Sequence, residues 1–281
     1  MKAIYTYLIL FVFLNVFVTA QATLIWRGDT SLLFSAPLEM HPDYDSLSRQ
    51  ISDRLRKATL KVPSTACSRD YLAEWTVLND SIFLSNILHC EDINIKINLR
   101  DIFPSIGESR KMFAYWINGE LYVPHGELLI REPRFNSLFE YETVLHVENG
   151  IIQSYETFHN RIERRVDFSW GVLSSFILYN TNWEILPDMG NRWVDVFVAV
   201  QPNEQGQFES VIEEYTFLLK APQTCLDEDF IRDTNNIFIR EVIRVAKLVP
   251  EWNVIYQRGE ILPNPVRVTF SERERRRWVS R

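Results

Sequence analysis

Beyond its first residues the chain has no apolar run near the ~20 residues that a membrane-spanning helix needs. It also lacks a Gly-x-Ser-x-Gly elbow, a His-Glu-x-x-His pair, a Walker loop and a dinucleotide loop, so no standard catalytic or phosphate-binding motif is present. Basic excess is absent: 30 Lys and Arg stand against 37 Asp and Glu, a net charge of −7. Setting Lys2 aside with the leader leaves 29 against 37, or −8. That balance excludes nucleic-acid and anionic-membrane binding as the leading readings. Cysteine is scarce, with only Cys67, Cys90 and Cys225. In an oxidising compartment Cys67 and Cys90 can close a loop with 22 residues between them, worth roughly 3 kcal/mol. An odd count leaves one thiol over, and all three can instead be small buried hydrophobes.

What is present describes a folded, exported protein. Hydrophobic residues make up 46% and aromatics 13% of 281 residues, enough to build a core and long enough for two domains. Lys2, an apolar run from Ile4 to Val18 and the small residues of Ala20-Gln21-Ala22 form a signal peptide over 1–22. The expected location is periplasmic, with membrane attachment only if that leader is retained.

From Thr23 to about residue 160 the pattern is a β-rich meander. Thr23 to Phe34 reads as a hairpin around Arg27-Gly28-Asp29, a tight turn before it is an adhesion motif. Asp45 to Leu60 carries the one helical stripe of this half, on Leu47, Ile51 and Leu55. Three hairpins then turn at Asn79-Asp80, Asn118-Gly119 and Asn149-Gly150, pairs that tolerate positive φ. The first two share a leading Trp (Trp75, Trp116), a weak internal repeat. A charged break near Asn160 to Arg165 places the boundary, with 161–192 a connecting segment and 193–281 a second domain.

In that second domain Trp193 to Gln201 alternates as a strand and Phe208 to Leu218 returns. A helix starting near Thr234 or Asn235 follows, with Phe238, Val242, Val245, Ala246 and Val249 on one stripe, and Pro250 stops it. Val266, Val268 and Phe270 alternate with Arg267 and Thr269 as a half-exposed closing strand. The expected class is α+β, one helix packed on an antiparallel sheet. The arginine-rich stretch from Arg273 to Arg281 is broken by Glu274 and reads as a solvated tail.

The alternating strand, the helix ending at Pro250-Glu251-Trp252, the turn at Gly259 and the last strand ending in Phe270 resemble the TonB C-terminal domain. The preceding region, including the Cys67 segment and Ala114 to Leu129, is similar to an uncharacterised family of exported bacterial proteins. The TonB resemblance implies a protein partner bound by β-strand addition at an edge strand, here Val266, Arg267, Val268, Thr269 and Phe270. It also implies, as an alternative, an energy transducer for outer-membrane transport that keeps its leader in the membrane.

No catalytic set, cofactor or metal is expected. The best enzymatic constellation is Glu140, Glu142 and His146, which share one face of a strand and define the alternative of a periplasmic hydrolase. His89-Cys90-Glu91-Asp92 has metal-capable residue types without a second pair, and His125 reads as a turn residue. Trp26, Trp75, Trp116 and Tyr122 are candidates for a ligand-stacking surface, although aromatics on strands are more often core.

Overall fold

The computed structural model describes residues 22–58, 69–106, 110–131, 137–163, 170–220, 229–231 and 236–279. Residues 1–21 of the leader, Cys67, Cys225 and the expected helix start at Thr234 or Asn235 lie outside them, while Ala22 already belongs to the first strand. The chain divides into two compact units between Asn160 and Arg161. Both are mixed α and β, with sheet predominant.

The first unit contains β1 (Ala22–Trp26), β2 (Asp29–Leu32), α1 (Tyr44–Ala58), β3 (Tyr71–Leu78), β4 (Ser81–His89), β5 (Lys96–Ile97), β6 (Met112–Phe113), β7 (Gly119–Ile130), β8 (Leu138–Glu148) and β9 (Ile151–His159). Its strands follow the order β2-β1-β3-β4-β9-β8-β7. All pairs are antiparallel except β1 with β3. The two ends of this path meet: Phe34 N–H donates to the Tyr122 carbonyl at 2.8 Å, and Tyr122 N–H donates to Ser35 Oγ at 3.0 Å. Curling the sheet in this way hides edge backbone that would otherwise be exposed. Inside it Trp75, Leu84, Leu121 and Leu145 form one core with Leu47, Ile51 and Leu55 of α1, the expected stripe.

Two of the three expected turns carry the anticipated backbone. Asn79 and Asp80 have φ of 49° and 59°, and Asn149 and Gly150 have 49° and 76°. The turn at Arg27-Gly28 does the same, at 54° and 90°. The hairpin at Asn118-Gly119 does not form. Only Met112–Phe113 is strand before it, and β7 leaves Gly119 to pair with β8. Trp116 supplies the reason: its ring is buried against Trp75 at 6.4 Å, and its Nε1–H donates to the Pro37 carbonyl at 2.9 Å. Burying that ring bends 114–118 into a turn, and Asn118 Oδ1 accepts the Asn149 N–H at 2.8 Å.

The second unit contains β10 (Arg161–Glu163), α2 (Trp170–Asn180), β11 (Arg192–Pro202), β12 (Phe208–Lys220), β13 (Asp229–Ile231), α3 (Ile237–Ala246), β14 (Val254–Gln257), β15 (Glu260–Leu262), β16 (Asn264–Phe270) and α4 (Glu272–Val279). One sheet runs β13-β12-β11-β16 and a second runs β10-β14-β15. α3 is capped by Asn236, whose side chain accepts the Phe238 N–H at 2.8 Å. Phe238, Val242, Val245, Ala246 and Val249 are all buried, against Val196, Val198, Val266, Val268 and Phe270 of the sheet.

Two segments differ from expectation. Residues 161–192 are not a plain connection: β10 pairs with β14, and Leu173, Ile177 and Leu178 of α2 enter the second core. No residue of α2 is charged, so it has no polar face to mark a helical period. The tail is not simply solvated either. Ser271 Oγ accepts the Glu274 N–H at 3.2 Å, which starts α4 as half of a capping box. α4 is then pinned to residues 186–189: Glu272 Oε1 accepts the Met189 N–H at 3.0 Å, and Arg275 donates to the Leu186 and Pro187 carbonyls at 2.9 and 2.7 Å.

Candidate functional site

The closing strand β16 ends its sheet, hydrogen-bonded to β11 and to no other strand among the described residues. Val266, Val268 and Phe270 turn into the core, while Pro265, Arg267 and Thr269 are exposed. Backbone groups alternate in direction along an antiparallel strand. The Arg267 carbonyl accepts Ser174 Oγ–H at 2.8 Å and so faces away from β11, which turns Pro265, Arg267 and Thr269 to the outer side. Pro265 has no N–H to offer there, a common guard on edge strands. The side of β16 away from β11 is therefore flanked by α2, and Thr269 presents the outward amide nearest the strand's end.

The exposed side chains of β16 are also occupied. Asp195 on β11 is buried at 3% exposure and opposite Thr269. It accepts Thr269 Oγ1–H at 2.5 Å and Arg267 Nε–H at 2.9 Å, with a second, shorter bond from Arg267 Nη2. A buried carboxylate held by a two-pronged guanidinium fixes the strand's register and the direction of Arg267.

A second buried carboxylate supports the same region. Glu241 of α3, 2% exposed, accepts Arg244 Nε–H at 2.8 Å, Arg244 Nη2–H at 2.6 Å and the Asn182 N–H at 2.5 Å. Arg244 also donates to the Asn180 carbonyl at 2.6 Å, and its bond to Glu241 raises the guanidinium pKa further. α3 thereby holds the C-terminal end of α2.

In the first unit, Glu140, Glu142 and His146 lie on β8 but do not converge. Six residues of strand separate Glu140 from His146, roughly 20 Å at the usual rise. His146 Nδ1 instead lies 3.5 Å from Glu120 Oε1, Glu140 Oε1 lies 4.0 Å from His159 Nε2, and Glu142 is buried. One reacting atom cannot touch all three.

His89 is buried and its Nδ1 accepts the N–H groups of Glu91 and Asp92, each at 3.2 Å, so it organises a turn. Cys90 is disulfide-bonded, while the other two cysteines lie outside the described residues. Among those residues no cluster suits a metal ion. His125 is not a turn residue: it sits in β7, stacked on Tyr141 at 5.4 Å with Nε2 3.1 Å from Thr143 Oγ1. The irregularity signalled by Gly126 is absorbed as a register shift between His125 and Leu128.

The four aromatic candidates do not share a surface. Trp75 and Trp116 are core, and Tyr122 donates to Glu120 Oε2 at 2.6 Å. The Arg27 guanidinium covers both Trp26 and Tyr155, at 4.6 and 4.8 Å from their ring centres. Arg27 of the Arg-Gly-Asp turn thus makes cation–π contacts with both rings, which themselves meet edge-on at 5.2 Å.

No protein-family model matches this chain, and no curated protein or solved structure matches it.

Proposed function

We propose that this is an exported periplasmic protein, without catalysis of its own, that binds a protein partner by strand addition at the outer side of β16. The observation that carries the reading is that, among the described residues, β16 pairs on one side only, within an α+β unit whose helix α3 packs against the sheet. The resemblance of Trp193 to Phe270 to the TonB C-terminal domain supports the same mode. The Ser174 contact confines the pairing to the Thr269 end of the strand unless α2 moves aside. The disulfide at Cys90 fits an oxidising compartment.

Processing is proposed after Ala20, two residues before the 1–22 boundary expected from the sequence. Ala22 is buried, pairs with Ala73 and accepts the Leu33 N–H at 3.0 Å, so a mature chain starting at Gln21 keeps that strand whole. N-terminal sequencing of the exported protein distinguishes this from a retained leader, which is the energy-transducer alternative.

Partner binding is tested by capture from envelope extract with wild type, Thr269→Val and Thr269→Pro. Both variants lose the hydroxyl bond to Asp195, but only proline also removes the outward amide. Loss of the same captured protein with proline alone supports strand addition. Equal capture by all three rejects it.

A further inference from the structure

The second unit holds a cleft of about 530 Å³ between α2, β16 and α4, within the size range of small-molecule sites. Among the described residues three guanidinium groups line it, Arg267, Arg273 and Arg277, and one acid, Glu274. Arg267 is tied to Asp195, and Arg277 lies 3.7 Å from Glu274 Oε2. Arg273 has neither an ion pair nor a hydrogen bond among the described residues, and its side chain is exposed. Among the described residues, the three cations against Glu274 and Asp195 leave a balance of +1, in a chain whose net charge is −7.

Two further features point to an occupant with a body as well as a charge. Trp193 contributes an aromatic surface to the same cleft. Gly171 lines it from the first turn of α2, and a Cβ built there meets nothing within 4 Å. Its φ is not in the positive region, so neither backbone conformation nor packing among the described residues calls for glycine. Glycine in a helix costs about 1 kcal/mol relative to alanine, and its effect here is to keep the wall of the cleft open.

We propose that this cleft binds a small organic oxyanion, a carboxylate or phosphate ester on an aromatic or apolar body. Arg273 and Arg277 engage the oxyanion through charge-assisted hydrogen bonds, and the body lies between Trp193 and the open wall at Gly171. This does not rest on partner docking; the ligand and a partner strand would share one side of β16 and compete.

Calorimetric titration of the whole protein with phenyl phosphate and with benzoate tests it, against phenol as the aromatic half of each and inorganic phosphate or acetate as the matching anionic half. The expected result is that at least one aromatic anion binds about tenfold tighter than either half and weakens as salt is added. The tighter of the two assigns phosphate ester or carboxylate. Arg273→Ala with Arg277→Ala, and separately Gly171→Leu, are each expected to weaken it about tenfold. Gly171→Leu favours the helix and has room, so it reads the cleft even if the arginine variant folds poorly. Binding no tighter than that of the two halves, or binding unchanged in a folded Gly171→Leu protein, overturns the proposal.

Discussion

Replacing Arg244 by Leu strands a buried charge. The change removes two of the three hydrogen bonds described for Glu241, leaving the Asn182 amide, and also frees the Asn180 carbonyl. Charge-assisted bonds are worth about 1.5–3 kcal/mol each, but the Arg244 side chain is 48% exposed, so solvent screening reduces the sum. A loss of about 2–3 kcal/mol results, at or below the lower end of the range for breaking a fully buried pair, because Arg244 is half exposed. The unit from Arg161 to Arg281 has 121 residues (281 − 161 + 1), and its unfolding entropy is about 0.25 kcal/mol/K. The expected fall in its melting temperature is therefore about 8–12 °C, read by scanning calorimetry of the whole chain. The double variant Glu241→Leu, Arg244→Leu removes the stranded carboxylate and should be more stable than the sum of the two single losses. A single-variant loss under about 0.5 kcal/mol, or strict additivity in the double variant, would refute the buried-pair account.

Two other perturbations address the first unit. Gly150→Ala places a Cβ 2.5 Å from the Ala114 carbonyl oxygen at a φ of 76°, and should cost about 2–4 kcal/mol in urea denaturation; an unchanged midpoint would mean that this junction yields freely. His41 has its pKa lowered from 6.5, first by burial, with Asp43 opposing; its ring lies 4.6 Å from Trp116. A depressed folded-state value means that the unfolded chain takes up the proton first. Stability is full above pH 6.5 and is lost as pH falls through the folded-state value. His41→Phe should flatten that slope in denaturation curves taken across this window, and an identical slope would remove His41 as its source.

The parts of the fold legible in the sequence are those set by local pattern. The α3 stripe, the β11–β12 alternation and the turns at Arg27-Gly28, Asn79-Asp80 and Asn149-Gly150 each follow from side-chain period or positive φ. The losses have separate physical causes. α2 is apolar or uncharged around its whole circumference, so no period marks it. α4 did carry a signal, Ser271 three residues before Glu274, but its arginines suggested solvent. The turn at Asn118-Gly119 yielded to the burial of Trp116, a contact with residue 37 that local pattern cannot contain. At the site, β16 was legible as a half-exposed strand because Val266, Val268 and Phe270 alternate with Arg267 and Thr269, while its place at an edge was only what the TonB resemblance implied. The helix beside it was not legible, because the Ser174–Arg267 bond joins residues 93 apart. Asp195 and Glu241 likewise carry nothing in the local sequence that marks them as buried.

The most direct measurement of partner pairing is amide hydrogen exchange at Thr269, followed residue by residue in the whole protein with and without the captured partner. Thr269 faces away from β11, so strand addition should slow its amide strongly on binding while Val268, already paired with Val196, changes little. Partner binding with no added protection at Thr269, and protection appearing elsewhere, would contradict the edge-strand account.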